Sequence, residues 1–464
     1  MAAAPPARAL SSEKVSLVRE HSLVPVGMAT ILPEATRHVR HLESQLLQGF
    51  YGAGYDEIIL PTFEYLDVLA PGLEPRLAEN SYKIIDRTTG RILLLRPDVT
   101  AQIARTVAMG MVGARLPLRL SYRATVFRYE PEHVGRDREI FQVGAELIGT
   151  DDPSADCEMI TLMIESLRQV GLQSFKVSLG HVGFFKGLLV CAGLSAEGKK
   201  RAEEAAARKD LPRLEEILLQ ERVSKRSARR ILDALELCGT AEVLVNGRIL
   251  AKGENALLEA LDRLASVYGI LCASGFKDLL LLDLGEFRGF DYYDGVVFDV
   301  FSEGIEVELG GGGRYNHLIG RFGRDLPSTG FGLNVDRLFR SLNLSGAMQP
   351  LDSKILVVGP TNSSHDLVSL AQELRQAGLR VLQRSIAASG QDLIRMAVDA
   401  GRESDATTTI VIGMDRSHED RVLLLQPRTP QRVGDTTSTA KVQRRTVLRQ
   451  NLVRMLQVSH EEAP

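Results

Sequence analysis

From Glu34 onward, apolar residues Ala35, Val39, Leu42, Leu46, Leu47 and Phe50 recur at helical spacing, and Gly54 is placed to end that helix before the strand-like "EIILP". A helix therefore delivers the chain into a sheet. "RILLL" predicts a further strand, and "RPDVTAQIARTVA" turns through Pro97 into a helix that Asp98 is placed to cap. Between Leu118 and Ile148 two alternating segments, "LRLSYRATVFRYE" and "EIFQVGAELIG", flank the charged connection "PEHVGRDR", a pattern that predicts a long antiparallel hairpin. From about residue 185 to 270 the strand signals give way to a charged, helix-forming run, which reads as a helical insertion. Sheet patterns return in "LLLLDLG", "GVVFDVF", "EVELGGGG" and "STGFGLNV". After the linker-like "LSGAMQPLDS", the segments "KILVVGP", "HDLVSLAQELRQAG", "LRVLQRS", "QDLIRMAVDAG" and "TTTIVIG" alternate strand with helix, predicting a small α/β domain with a mostly parallel sheet. "QPRTPQRVGDTTSTAK" reads as a mobile loop, and no internal repeat stands out.

Composition narrows the class without naming a function. A chain of 464 residues is long for one domain, so two or three units are expected, each able to bury its own core. Hydrophobic residues at 44%, charged residues at 25% and a net charge of −3 advertise neither a polybasic surface nor an acidic tail. Cys157, Cys191, Cys238 and Cys272 lie far apart with no C-x-x-C spacing, so they suggest thiols in a reducing compartment rather than disulfides or a metal site. "MAAAPPARALSSEK" lacks the apolar core of a signal peptide, and no segment approaches the roughly 18 apolar residues of a membrane span. The expectation is a cytoplasmic protein with no membrane partner, no cofactor, no metal and a disordered tail over residues 1–14.

Chemistry concentrates in a few stretches. In "FQVGAELIG", strand alternation puts Gln142, Gly144 and Glu146 on one face and Phe141, Val143, Ala145 and Leu147 on the other, which is core. A glycine between an amide and a carboxylate leaves room for a ligand against the backbone; the alternative is a solvated sheet face. Arg128 and Glu130 share a face of the partner strand, and Arg136 and Arg138 follow in the connection. Guanidinium groups gathered there suit an anionic ligand, although loop arginines are commonly just solvated. Asp98 and Thr100 offer hydrogen-bonding groups for an ammonium or hydroxyl, while Asp98 taken singly reads as a helix cap. "RGFDYYDGVVFDV" sets Arg288, Tyr292 and Tyr293 in a glycine-marked turn before a strand, where ordinary packing competes with ligand contact for one of the tyrosines. The glycine run "LGGGGRYN" permits close backbone approach and lacks the lysine of a P-loop.

Taken together, these stretches resemble the class II aminoacyl-tRNA synthetase fold, and within it the histidyl-tRNA synthetases, from about Pro25 to Leu342 outside the insertion. Motif 1 looks like the long helix followed by "GYDEIILPTFEY", with Pro61 at the dimer-forming position. Motif 2 looks like "FRYEPEHVGRDREIFQVGAELIG" and motif 3 like "STGFGLNVDRL", whose arginine is Arg337. The resemblance implies an α+β fold with an antiparallel sheet flanked by helices over residues 15–345, an anticodon-binding-like α/β domain over 352–464, and a homodimer. It also implies a histidine pocket of Asp98, Thr100, Arg128, Gln142, Glu146, Arg288, Tyr292 and Tyr293.

Several positions depart from the synthetases in one direction. Where the enzymes carry Glu-Gly-Thr after Arg-Pro, this chain has Asp98-Val99-Thr100, and where "GGRY" precedes Asp-Gly it has Asn316-His317. Motif 3 runs Gly330, Gly332, Asn334 and then Asp336-Arg337, so a side chain stands where the third glycine would leave backbone bare for adenine. These changes, with "RPDVTAQIAR", "GRDREIFQVGAELIG" and "ILPEATRHVRHLE", resemble the regulatory subunits of ATP phosphoribosyltransferase. That resemblance implies a non-catalytic chain partnered with the short-form catalytic subunit, serving the first step of histidine biosynthesis, with L-histidine as feedback effector and tRNA no longer a partner. Arg136 and Arg337 would then be remnants of an anion or nucleotide site. Short members of that family lack the C-terminal α/β domain, which keeps two other readings open: a working histidyl-tRNA synthetase and a stand-alone histidine-sensing module.

Overall fold

The computed structural model describes residues 24–129, 138–286, 291–348, 354–414, 420–427 and 442–461. The chain divides into two compact units, residues 1–348 and 349–464. In the first, helix α1 (Pro33–Gly52) starts on a proline whose missing N–H costs nothing in a first turn, and buries Val39, Leu42, Leu46 and Phe50 along one stripe. Gly54, at φ 86°, turns the chain into β1 (Asp56–Glu57), which pairs in parallel with Leu120 and Ser121. Of the expected strand "EIILP" only Glu57 is in the ladder; Pro61 has no N–H to donate and Ile59 is 90% exposed.

Strands β2 (Phe63–Tyr65), β3 (Lys83–Ile85) and β4 (Ile92–Leu95) make a small antiparallel sheet in the order β2-β4-β3, with short helices α2 (Leu66–Leu69) and α3 (Pro75–Glu79) between. Helix α4 (Thr100–Gly110) follows, then β5 (Leu118–Phe127) and β6 (Glu139–Ile148), whose register runs from Leu118 opposite Ile148 to Phe127 opposite Glu139. The long hairpin expected from alternation is there. Helix α5 (Pro153–Gln169) is capped by Asp152, which accepts from the Ser154 N–H. After β7 (Phe175–His181) come six helices, α6 (Val182–Cys191), α7 (Ala196–Ala207), α8 (Leu211–Gln220), α9 (Lys225–Glu236), α10 (Glu242–Leu250) and α11 (Asn255–Ala273), with the two-residue β8 (Cys238–Gly239) between α9 and α10. The sheet resumes with β9 (Leu280–Asp283), β10 (Val296–Ser302), β11 (Gly310–Arg314) and β12 (Ser328–Asn334), and α12 (Val335–Leu344) closes the unit.

The nine strands order as β1-β5-β6-β12-β11-β10-β7-β9-β8, antiparallel except where β1 meets β5 and β7 meets β9. One face of this sheet carries the large core shared by α1, α5 and the insertion; Val143, Ala145 and Leu147 of β6 point into it. The other face carries a second core containing Val99, Ile103, Tyr122, Tyr292, Tyr293 and Tyr315. Strand β11 is four glycines and an arginine because its neighbours leave no room: a Cβ at Gly312 would sit 1.9 Å from the Gly330 carbonyl oxygen.

The second unit is built on β13 (Ile355–Pro360), α13 (Ser364–Gln376), β14 (Val381–Ile386), α14 (Gly390–Glu403), β15 (Thr408–Val411), β16 (Arg421–Pro427), β17 (Val442–Leu448) and α15 (Leu452–Glu461). Strands β14, β13 and β15 are parallel as expected, but β16 and β17 add an antiparallel pair that the sequence reading left out. Val422 and Leu424 pack on one face of this sheet and Leu423 and Leu425 on the other, so β16 is buried on both sides and shows no alternation. Much of the stretch read as a mobile loop, 428–441, lies outside the described residues. Among the described residues no helix is long and apolar enough to cross a membrane, and no group of three or more His, Cys, Asp or Glu is placed to hold a metal.

Candidate functional site

The polar face of β6 is roofed, not solvated. Glu146 is 1% exposed, and its two oxygens each accept a hydroxyl: Thr100 Oγ1 donates to Oε1 at 2.8 Å and the Tyr315 hydroxyl donates to Oε2. Burial pushes its carboxyl up to about 8, the two donors pull it back, and the charge of Asp98 adds to the rise. Asp98 is buried beside it, and burial raises its carboxyl as well. Its Oδ1 accepts from the Ala101 N–H at 2.7 Å, which meets the helix-cap reading, and its Oδ2 faces the Tyr292 hydroxyl at 3.4 Å. One side chain thus serves the helix and the pocket.

Around the two carboxyls stand aromatic rings. Tyr292 and Tyr293 lie 4.7 Å apart by ring centroid, and Tyr315 meets them edge-on at 5.9 and 6.5 Å. Tyr122 on β5 completes the set, opposite Gly144 in register. Its hydroxyl fills the space above two facing glycines: a Cβ would come within 2.5 Å of it at Gly144 and 2.9 Å at Gly332. Burial, with Glu146 nearby, pushes the hydroxyls of Tyr122, Tyr292 and Tyr315 well up, so each remains a neutral donor. Neither Tyr122 nor Tyr315 was among the candidates read from sequence. The available signals were the place of Tyr122 at the centre of an alternating strand and that of Tyr315 directly after the glycine run.

Arg128 lies beside this cluster, donating from Nε to the Pro97 carbonyl at 2.9 Å, and its charge acts on Asp98. Gln142 lies further along the same face of β6, where its amide donates to Asn334 Oδ1 at 3.1 Å across the β6–β12 pair. Asn334 thus meets its register partner on β6. Arg337 lies elsewhere: its NH1 donates to the Glu308 carbonyl at 2.7 Å and carboxylate at 2.8 Å. Arg138 is drawn off to the side, its guanidinium 4.8 Å over the Tyr129 ring. Arg136, Arg288 and Glu130 lie outside the described residues. The structure thus brings together Asp98, Thr100, Arg128, Glu146, Tyr292 and Tyr293, sets Gln142 beside them, and holds Arg337 apart.

A buried pair of carboxyls, neutral phenols and one guanidinium can hold a small polar ligand with a flat ring, an ammonium and a carboxylate. The class this defines is that of the class II synthetase-like proteins: residues 27–338 match the histidyl-tRNA synthetase family model. Among solved structures, a Bacillus halodurans protein described as an ATP phosphoribosyltransferase regulatory subunit/histidyl-tRNA synthetase superposes with a TM-score of 0.72 at 30% identity, over 81% of this chain and 95% of that one. Histidyl-tRNA synthetase from Nostoc superposes at 0.77 over 94% of this chain and 99% of its own, and at 20% identity that likeness is one of fold. The ATP phosphoribosyltransferase regulatory subunit of Geobacter metallireducens is 35% identical over 418 residues, 90% of this chain and 94% of that protein. That of Desulforamulus reducens is 39% identical over 357 residues, 77% of this chain and 88% of its own. The chain belongs to the ATP phosphoribosyltransferase regulatory subunit family. The Geobacter match is longer than the first unit, so it reaches into the second; a C-terminal α/β unit is therefore no argument for a tRNA ligase.

Proposed function

We propose that this chain is a non-catalytic regulatory subunit that assembles with a short-form ATP phosphoribosyltransferase catalytic subunit in the cytoplasm, and that L-histidine bound between Asp98, Glu146 and the tyrosines is its feedback effector. The observation that carries the reading is the contrast between adjacent sites. The carboxyl–tyrosine cluster gathers donors and acceptors, while beside it β6 and β12 are bridged by the Gln142–Asn334 hydrogen bond. In this reading Glu146 accepts from the imidazole, Asp98 and Thr100 hold the ammonium, Arg128 faces the carboxylate, and Tyr292 and Tyr293 flank the ring. Histidine then shifts the complex only as far as its affinity differs between active and inhibited arrangements; a coupling of roughly 1–3 kcal/mol corresponds to about five- to 150-fold regulation.

The test pairs two measurements on purified protein. Histidine-dependent exchange of pyrophosphate into ATP is expected to be absent, while the catalytic subunit is expected to co-purify and become histidine-sensitive. Robust exchange would return the chain to the ligases.

A homodimer is also proposed, through exposed apolar residues of the small sheet and the chain before it, where Ile59 and Ile85 are 90% and 69% exposed. Introducing Ile59→Asp with Ile85→Asp should convert a dimer to a monomer in sedimentation velocity. An unchanged sedimentation coefficient would place the interface elsewhere.

A further inference from the structure

The six-helix insertion holds both ends of the segment that carries Tyr292 and Tyr293. On the incoming side, β9 takes β8 of the insertion as its edge partner, with Cys238 opposite Asp283 and Gly239 opposite Leu282. The Leu284 N–H donates to the Leu237 carbonyl at 3.1 Å. Gly285 lies so close to the end of α9 that a Cβ there would meet the Leu235 carbonyl oxygen at 2.6 Å and its Cα at 2.7 Å. Leu284 in turn occupies the space beside Gly247 of α10. On the outgoing side, the α6 lysine Lys186 reaches the Tyr293 carbonyl at 3.5 Å, and the Val182 N–H donates to the Gly295 carbonyl at 3.0 Å. The incoming stem is held by the insertion, and the outgoing one by Lys186 together with the end of the β7–β10 ladder.

At the centre of the incoming stem is Lys209, in the turn between α7 and α8. Its Nζ donates to Asp283 Oδ1 and Oδ2 at 3.2 and 2.9 Å and to the Gly285 carbonyl at 3.1 Å. Asp283 Oδ1 also accepts from the Gly285 N–H at 2.8 Å, so the lysine and the backbone turn share one carboxylate. The Asp283 side chain is 12% exposed and that of Lys209 48%, which makes the pair partly shielded from screening. Lys209 adopts φ 52°, a left-handed conformation that disfavours side chains other than those of glycine, asparagine and aspartate. A turn there would be easier with glycine; the lysine is where its ammonium reaches the stem.

We propose that Lys209 is a positioning residue for the histidine pocket: it pins residues 283–285, a few positions before Tyr292 and Tyr293, so that pocket occupancy and the placement of the insertion are linked. The proposal rests on the histidine reading of the site, and adds that the insertion is the part of the first unit that senses it. Two sites joined through one packed segment are coupled reciprocally: histidine orders the insertion, and whatever binds the insertion alters histidine affinity by the same factor.

The test uses the full chain with Lys209→Met and Lys209→Arg. Hydrogen exchange of the unliganded Lys209→Met protein should show faster exchange over 280–286 than wild type, with circular dichroism unchanged. In titration calorimetry Lys209→Met should bind L-histidine about five- to tenfold more weakly, a coupling at the lower end of the usual range, and Lys209→Arg should restore most of it. Histidine added to wild type should slow exchange over 205–211 and 235–239, and should fail to do so in Lys209→Met. Equal affinities with no histidine-dependent change in the insertion would overturn the linkage while leaving the pocket standing. No histidine heat from wild type would overturn the pocket and the linkage with it, and unchanged exchange over 280–286 in Lys209→Met would overturn the clamp itself.

Discussion

Glu146→Gln is expected to make the protein more stable at alkaline pH and a worse histidine binder. The carboxyl is buried with two hydroxyl partners, and burial lifts it from the ordinary glutamate value of 4.5 to about 8. Between those values the folded protein keeps a proton that the unfolded chain has released. The contribution of Glu146 to stability is therefore fully present below pH 4.5 and is lost as pH rises toward and through 8, by an amount of the order of 3–5 kcal/mol once the charge is fully buried. Glutamine keeps the shape and cannot ionise, and the hydroxyls of Thr100 and Tyr315 can turn to accept from its amide. Thermal melts should coincide for the two proteins near pH 4 and separate in favour of the variant near pH 9. With the carboxyl neutral near pH 7, altering the group that meets the imidazole costs a neutral hydrogen bond, about 0.5–1.5 kcal/mol, or roughly two- to tenfold in affinity by calorimetry. Unaltered histidine affinity would mean that Glu146 does not read the imidazole; coincident melts at pH 9 would mean that its charge is not held at a cost.

That cost marks the difference between what the chain order reveals and what it hides. The two-residue period of "FQVGAELIG" is enough to put Gln142, Gly144 and Glu146 on one face and Val143, Ala145 and Leu147 in the core. Period alone does not say what covers the polar face. The cover is Tyr122 from the partner strand and Tyr315 from a position 169 residues beyond Glu146, and only sheet register brings them together. Asn334 was legible as an obstruction because it continues the series Gly330, Gly332, yet its hydrogen bond to Gln142 depends on those two residues being register partners. Local readings failed where partners decide. "EIILP" has the composition of a strand, yet of its residues only Glu57 enters the ladder, and Arg138, read as an anion group or a solvated loop residue, stacks on Tyr129. The insertion was legible as helical from composition, but its grip on residues 282–285 involves Lys209, Leu235, Leu237 and Gly239, which no local pattern singles out.

Asp156→Ala is expected to cost about 3–5 kcal/mol of stability in the first unit, the penalty for leaving a buried cation without its counter-charge. Asp156 sits on α5 at 1% exposure and takes two arginines from opposite directions. Arg314, 2% exposed at the end of β11, donates from Nε at 2.8 Å, its NH2 lying equally near without hydrogen-bond alignment; Arg263 of α11 donates from Nε and NH2 at 3.1 and 2.8 Å. Removing the carboxylate leaves Arg314 with the Thr150 carbonyl at 3.0 Å, Asn316 Oδ1 at 3.1 Å and the exposed Asp151 at 3.2 Å, too little to hold a desolvated guanidinium. The loss should also reach the pocket, because Arg314 precedes Tyr315 and its carbonyl accepts from the Asp294 N–H, just past the tyrosine pair. With no tryptophan in the chain, urea unfolding followed by far-ultraviolet circular dichroism is the suitable measurement. Asp156→Asn, which keeps an oxygen between the two arginines, should fall between wild type and alanine in stability and in histidine affinity. A loss below about 1 kcal/mol for alanine, the range of a solvated surface pair, would show that water or a shifted side chain takes over the role of Asp156 and that the strand end carrying Tyr315 is held by packing alone.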